Sequence, residues 1–236
     1  MNTPTITAAL AAAAITAAAA SAQTAATTTA ARGTVYLDRN ADGRRQTGEP
    51  GVPGVGVSDG HAIVRTDERG RYELEIDADD AIVFVIKPRD HQVRIDDRGI
   101  PRGYYIHKPD GSPDDGFIFE GVEPTGPLPE SIDFPLTPAQ DPESYNVMVL
   151  ADPQPYTIQQ LDYFRREVVD RVATARGNTE GALFGVTVGD LVGDNLDLFE
   201  PLNQAQSLFG VPWYNVAGNH DINFMSGRSA ATAADP

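Results

Sequence analysis

The sequence predicts an α+β multidomain chain, an N-terminal Ig-like β-sandwich followed by a βαβαβ unit. Three observations carry this reading. From Gly33 onward, short β-rich runs recur between Gly, Pro and Asp turn signals, the pattern of a small sandwich. From Tyr145 the period changes and strands alternate with helical stretches, which predicts a mainly parallel sheet. Three apolar runs in this second part end in polar motifs, as buried strands do when they deliver ligands at their C-terminal ends.

The elements follow in order. Residues 1–22 read as a signal peptide, with an Ala-rich stretch and an Ala20-Ser21-Ala22 cleavage pattern, although no Lys or Arg precedes the stretch. Export to the periplasm or the extracellular space follows, with no transmembrane segment left after cleavage. Residues 23–32 read as a low-complexity linker. The sandwich is expected over 33–88, with candidate strands at 34–37, 56–57, 62–66, 72–76 and 81–86. In the fourth, Tyr72, Leu74 and Ile76 alternate with Glu73 and Glu75, as a half-buried strand requires. Residues 89–143, rich in Pro, Gly and Asp, read as an extended connector, either separate or part of the N-terminal domain.

Residues 144–224 hold the βαβαβ unit. After the strand 147–150, Thr157-Ile158-Gln159-Gln160 is a capping box. The helix behind it carries Leu161, Phe164, Val168 and Val172 at helical spacing and is expected to end near Gly177. A second strand at 184–188, a short helix around 201–208 and a third strand at 213–216 complete it. Residues 225–236 read as a disordered tail.

Composition narrows the function classes. With 34 acidic and 18 basic residues, the formal charge of −16 excludes a general basic surface for gripping nucleic acid. There is no cysteine, so stability rests on core burial, metal ions or both.

Two segments carry metal chemistry. In the sandwich, Asp38, Asn40 and Asp42, then Gly43, Arg44 and Glu49, match the twelve-residue calcium loop. The first three supply side-chain oxygens, Gly43 the turn, Arg44 its carbonyl, and Glu49 closes the loop bidentately. The alternative is an Asx-rich turn without an ion. This segment resembles the calcium-stiffened B-type repeats of bacterial surface proteins and the carboxypeptidase regulatory-like modules. The resemblance rests on the loop, on Gly48-Glu49-Pro50-Gly51-Val52-Pro53-Gly54-Val55 and on Thr66-Asp67-Glu68-Arg69-Gly70-Arg71-Tyr72.

The second segment is the trio of strand-end motifs: Asp152-Pro153-Gln154, Gly189-Asp190-Leu191-Val192-Gly193-Asp194-Asn195, and Gly218-Asn219-His220-Asp221. Carboxylates, carboxamides and an imidazole converging at one sheet edge suit hard or borderline divalent ions and hydrolysis. Asp190 stands where a carboxylate could bridge two ions, Asp152 and Gln154 can reach one ion together, Asn219 offers a carboxamide oxygen, and His220 can act as acid. Taken singly, each motif also reads as an ordinary loop.

These motifs resemble the calcineurin-like metallophosphoesterases, closest to an exported bacterial branch with an N-terminal β-sandwich. The resemblance implies a small-molecule phosphate ester as substrate and two divalent metal ions, drawn from Mn, Fe, Zn or Mg. It implies Asp152 and Gln154 as ligands of the first ion, Asp190 as bridge, Asn219 as ligand of the second, and His220 as acid, oriented by Asp194 or Asp221. Two departures stand out. Gln154 replaces the usual His, and Asp194 lies one residue further from Asp190 than in the phosphoprotein phosphatases. The family's later histidine motifs have no counterpart here, so the chain reads as truncated, with one sheet face expected to lose its cover and little turnover expected. His61, His91 and His107 read as structural or surface residues, although His107, in the connector, could approach the site. Tyr156 and Trp213, near strand ends, are candidates to line the substrate pocket, with packing the favoured reading of both. The competing reading is a calcium-stiffened extracellular binding module with a non-catalytic phosphoesterase remnant.

Overall fold

The computed structural model describes residues 27–113, 116–175 and 181–223. The expected signal peptide, tail and helix end at Gly177 lie outside the described residues. Eight strands build the N-terminal part: β1 (Thr28–Leu37), β2 (Gly56–Ser58), β3 (Ile63–Arg65), β4 (Arg71–Asp77), β5 (Ala81–Ile86), β6 (His91–Val93), β7 (Tyr104–His107) and β8 (Phe134–Pro138). They form two four-stranded sheets, β4-β1-β8-β6 and β3-β2-β5-β7. Val35, Leu74, Ile76 and Leu136 from the first sheet and Val57, Val83 and Val85 from the second share one buried core. A two-layer sandwich is therefore present. The alternation read in β4 holds, with Tyr72, Leu74 and Ile76 inward and the glutamates outward.

Two boundaries need correction. The linker 23–32 is strand from Thr28 on: β1 pairs antiparallel with β4 from Thr28↔Asp77 to Thr34↔Arg71, and Ala31 is fully buried. Its small side chains hid a strand that is fixed by a long-range partner, not by its own propensity. The sandwich does not stop at residue 88 either. The stretch 89–143 supplies β6, β7 and β8, and β8 lies parallel to β1 at the centre of its sheet, burying Phe134 and Leu136. Pro135 and Pro138 disguise β8 as a connector, because a Pro in a run argues against a central strand.

The second part holds β9 (Asn146–Leu150), α1 (Ile158–Phe164), α2 (Asp170–Thr174), β10 (Ala182–Val188), α3 (Phe199–Ser207) and β11 (Trp213–Val216). The strands form a parallel sheet of order β11-β10-β9. Thr157 caps α1 by accepting the Gln160 N–H at 3.3 Å, while Gln160 reaches back to the Tyr156 N–H at 2.6 Å, one residue beyond the usual capping box. A π-helical turn, Arg165–Val169, separates α1 from α2. Its extra residue rotates the apolar face by one position, so Val169 is fully buried where the 3.6-residue period had placed Val168.

One face of this sheet packs on the helices. There Met148, Leu150, Val169, Phe209 and Trp213 form a cluster. Trp213 crosses β10 so closely that a Cβ on Gly185 would sit 2.1 Å from its ring, which is why that strand position is glycine. Thr187 Oγ1 accepts both the Trp213 Nε1–H and a Gln206 Nε2–H at 2.8 Å, in a fully buried site. The opposite face presents Val147, Val149, Val188, Tyr214 and Val216, all exposed, with Phe184 and Val186 between them. No described helix is long and apolar enough to cross a membrane.

Candidate functional site

The three motifs meet at the C-terminal edge of the β11-β10-β9 sheet, because parallel strands of matched register end together. Backbone contacts knit the loops. Gln154 donates its N–H to the Asp190 carbonyl at 3.1 Å, Gly193 to Pro155 at 2.9 Å, and Asp194 to His220 at 3.2 Å. Asp190 Oδ1 accepts the His220 backbone N–H at 3.1 Å. This approach requires Gly218, where a Cβ would lie 2.2 Å from both Asp190 N and Asp190 Oδ1.

The choice between Asp194 and Asp221 is resolved by geometry. His220 Nδ1 pairs with Asp194 Oδ1 at 2.9 Å. Asp221 is buried and accepts three backbone N–H groups, from Leu191, Val192 and Gly218, at 2.7–2.9 Å. It therefore fixes the β10 loop against the β11 loop, while Asp194 is placed to fix the tautomer and ring orientation of His220. The extra residue between Asp190 and Asp194 does not prevent this pairing.

Backbone strain concentrates here. Asp152, Gln154, Asp190 and Asp194 have φ of 47°, 41°, 45° and 59°, and they are four of the six described non-glycine residues with positive φ. Each such conformation costs about 1–3 kcal/mol, and residues held in it cluster at functional sites. The backbone contacts above hold these loops in that strained form.

Gln154, Asp190, Asp194 and His220 are thus brought together. Asp152 and Asn219 are exposed at the same edge. Tyr156, a candidate to line the pocket or to pack, borders the site and packs there: a Cβ on Gly193 would sit 2.6 Å from its ring, the ring lies edge-on to His220 at 6.2 Å, and its hydroxyl accepts from Gln154 Nε2 at 3.3 Å. Trp213 is core, as expected. His107 is structural: it is buried in the sandwich with Nε2 2.9 Å from the Ala78 carbonyl.

Among the described residues, no group of three or more His, Asp or Glu side chains is placed to hold a metal ion. The oxygen-rich donor set at the strand ends suits a hard cation, but with Asp152 and Asn219 turned to solvent it does not make a closed cage. The residues present do not fit a complete two-metal centre, and no chemical step is derived through one. Two clefts of about 520 and 490 Å³ lie between the sandwich and the sheet, and neither is lined by Asp152, Gln154, Asp190, Asn219 or His220. The candidate site is an open edge.

The calcium-loop residues lie at the end of β1. Asn40 Oδ1 accepts the Asp42 N–H at 3.3 Å, and Asp42 Oδ1 the Arg44 N–H at 2.8 Å. The two Glu49 oxygens accept the Arg39 and Gln46 N–H groups at 3.1 and 2.8 Å and tie the loop ends together. Ala41, with φ 58°, is a fifth strained residue.

Residues 39–123 match the family model for the N-terminal domain of calcineurin-like phosphoesterases. The match supports that superfamily. It falls on the sandwich and its loop, while the strand-end motifs, resembling the same family, lie after it. No curated protein matches the chain. Among solved structures, the major plantain pollen allergen Pla l 1 aligns with 50% of this chain and 100% of its own, at 13% identity and a TM-score of 0.28. That likeness is too slight to bear on the fold.

Proposed function

We propose that the edge of the β11-β10-β9 sheet is the phosphate-ester site of an exported, metal-dependent phosphoesterase, and that this chain by itself turns over slowly. The observation that carries the reading is the linked group of Gln154, Asp190, Asp194 and His220, held in strained loops at the end of a parallel sheet. On this reading His220, oriented by Asp194, protonates the leaving oxygen of a small phosphate ester. Tyr156 borders the ester, and Asp221 keeps the two loops in register. Asp152, Gln154, Asp190 and Asn219 are the proposed metal ligands, and the incomplete enclosure at this edge is the reason turnover is low.

The test is hydrolysis of an aryl phosphate by the full chain with manganese present. The expected outcome is a slow rate that falls by at least about a hundredfold in His220→Asn, the lower end of the usual range for losing a general acid, and that also falls in Asp190→Asn. A rate indifferent to both substitutions sinks the proposal. A second reading makes the sandwich the working part, a calcium-stiffened extracellular binding module beside a non-catalytic sheet. The buried carboxylate of Asp38 is the observation that favours it.

A further inference from the structure

We infer that a loop sent out by the sandwich, residues 117–122, is a working part of the strand-end site, where it positions the segment carrying Asp190 and Asp194. The inference rests on the phosphoesterase reading of that site. The loop leaves the sandwich after β7 and is braced at its base. Ser112 donates its N–H to the Val122 carbonyl at 2.8 Å, and Val122 returns its own N–H to Ser112 Oγ at 2.8 Å. Nearer the sheet, the Thr125 N–H reaches the Lys108 carbonyl at 3.0 Å and the Lys108 N–H reaches Thr125 Oγ1 at 2.9 Å. Lys108 is buried, and its ammonium pairs at 3.0 Å with Asp80 in the turn between β4 and β5. The loop therefore has a fixed origin in the sandwich.

Its far end meets both site loops. Phe117 and Phe119 are half-buried while Ile118 and Glu120 are exposed, so the aromatic side is the one that packs. Phe119 lies against the buried cluster of Leu161, Leu191, Val192, Leu196, Leu198 and Leu202. Leu191 and Val192 fall between Asp190 and Asp194. The Phe119 carbonyl accepts the Asn223 Nδ2–H at 2.9 Å, across 104 positions of sequence, and Asn223 is only 2% exposed. Asn223 follows Asp221 by two residues, so one residue of the sandwich loop holds the segments after β10 and after β11 together. These contacts complete a clamp. Asp221 already holds the Leu191 and Val192 N–H groups from the backbone side, and Phe119 closes the side-chain side. Asp190 and Asp194, at φ 45° and 59°, need such bracing, because strained backbone persists only where its surroundings over-determine it. The 2.9 Å pairing of Asp194 with His220 depends on that segment staying in place. Phe119 and Asn223 touch none of the proposed reacting groups and are positioning residues.

Two readouts on the full chain test this, one with turnover and one without. Phe119→Ala and Asn223→Ala each lower kcat for an aryl phosphate, with manganese present, by at least about tenfold, since a misplacement of about 1 Å costs up to about a hundredfold. KM stays within about twofold, because the acid acts in the transition state. Phe119→Leu, which keeps apolar packing, loses less. In a His220→Asn background Phe119→Ala costs less than about twofold more, because residues that act as a unit do not add. A loss of folded protein would instead lower the rate equally in both backgrounds. The second readout is the proton NMR signals of the His220 ring, identified by their loss in His220→Asn and recorded at about pH 8, above the ordinary imidazole pKa. They shift or broaden in Phe119→Ala and Asn223→Ala, and less in Phe119→Leu. Hydrolysis that is absent, or indifferent to His220→Asn, removes the phosphoesterase reading, and the ring signals then decide the positioning by themselves. If Phe119→Ala does not fold, as judged by circular dichroism, Asn223→Ala and Phe119→Leu decide. Ring signals unmoved by these substitutions, or equal rate losses in both backgrounds, overturn the inference.

Discussion

Leu136 on β8 and Val149 on β9 are both aliphatic residues in the middle of a strand, yet the first is fully buried and the second is 60% exposed. The contrast extends to the sheets around them. The sandwich closes on itself, so each four-stranded sheet covers the other and a single core results. The β11-β10-β9 sheet is parallel, and parallel sheets occur almost only with both faces covered. Here α1, α2 and α3 serve one face. The other presents Val147, Val149, Val188, Tyr214 and Val216 as a continuous patch. A patch of that kind marks an interaction surface or an aggregation hazard. The comparison teaches that the same local pattern of apolar alternation specifies a closed core only where a second layer is supplied. It also places the candidate phosphate-ester site on the less complete of the two regions, and the candidate calcium site on the more complete one.

The largest expected effect tests that contrast directly. Leu136→Ala should cost about 2–5 kcal/mol through lost burial and the cavity left behind. Val149→Thr, at the exposed face, should change stability by less than about 0.5 kcal/mol. Denaturant unfolding followed by circular dichroism reads both. Equal costs would break the comparison, because Val149 would then be covered in solution.

A smaller effect sharpens it from the covered side. Thr187 Oγ1 accepts both a Gln206 amide N–H and the Trp213 indole N–H, and all three side chains are fully buried. Thr187→Val conserves shape but strands two buried donors, at about 1–3 kcal/mol each. Trp213 is the one tryptophan of the chain, so its fluorescence reports this sheet and not the sandwich. The expected outcome is an earlier fluorescence transition with the sandwich transition unmoved. A coincident shift of both would mean the two regions unfold as one unit.

Much of this architecture was legible because its signals are local. Alternation in β4, the Thr157 cap and the three strand-end motifs each announce themselves within a few residues. The rest depends on partners distant in sequence. Thr28–Ala31 is strand only because β4 lies alongside, and β8, with two prolines in five residues, is strand only because β1 and β6 flank it. The π-helical turn that brings Val169 inward leaves no mark in an apolar period. At the site, the roles of Asp194 and Asp221 could not be told apart by spacing, since loop folding alone decides which carboxylate meets an imidazole and which meets backbone N–H groups.

The smallest effect concerns the junction between the two regions, where Trp213 donates its backbone N–H to Gly99 at 2.9 Å and Arg98 pairs with Glu200 at 2.6 Å. The turn holding Gly99 and Arg98 is built on Asp96. Burial pushes the Asp96 carboxyl up, but the N–H groups of Ile100 and Arg98 and the Arg102 guanidinium outweigh burial and hold it below its ordinary value. A carboxyl depressed in the folded state contributes stability that is fully present above its unfolded pKa, about 3.9, and is lost as pH falls through the folded value. Acidification below about pH 4 should therefore loosen this turn, and with it the seat of Trp213 against Gly99. The expected outcome is a midpoint of the Trp213 fluorescence transition that drops more steeply below about pH 4 in the parent chain than in Asp96→Asn, which carries no carboxyl to protonate. Parallel pH profiles would show that Asp96 does not couple the sandwich to the sheet.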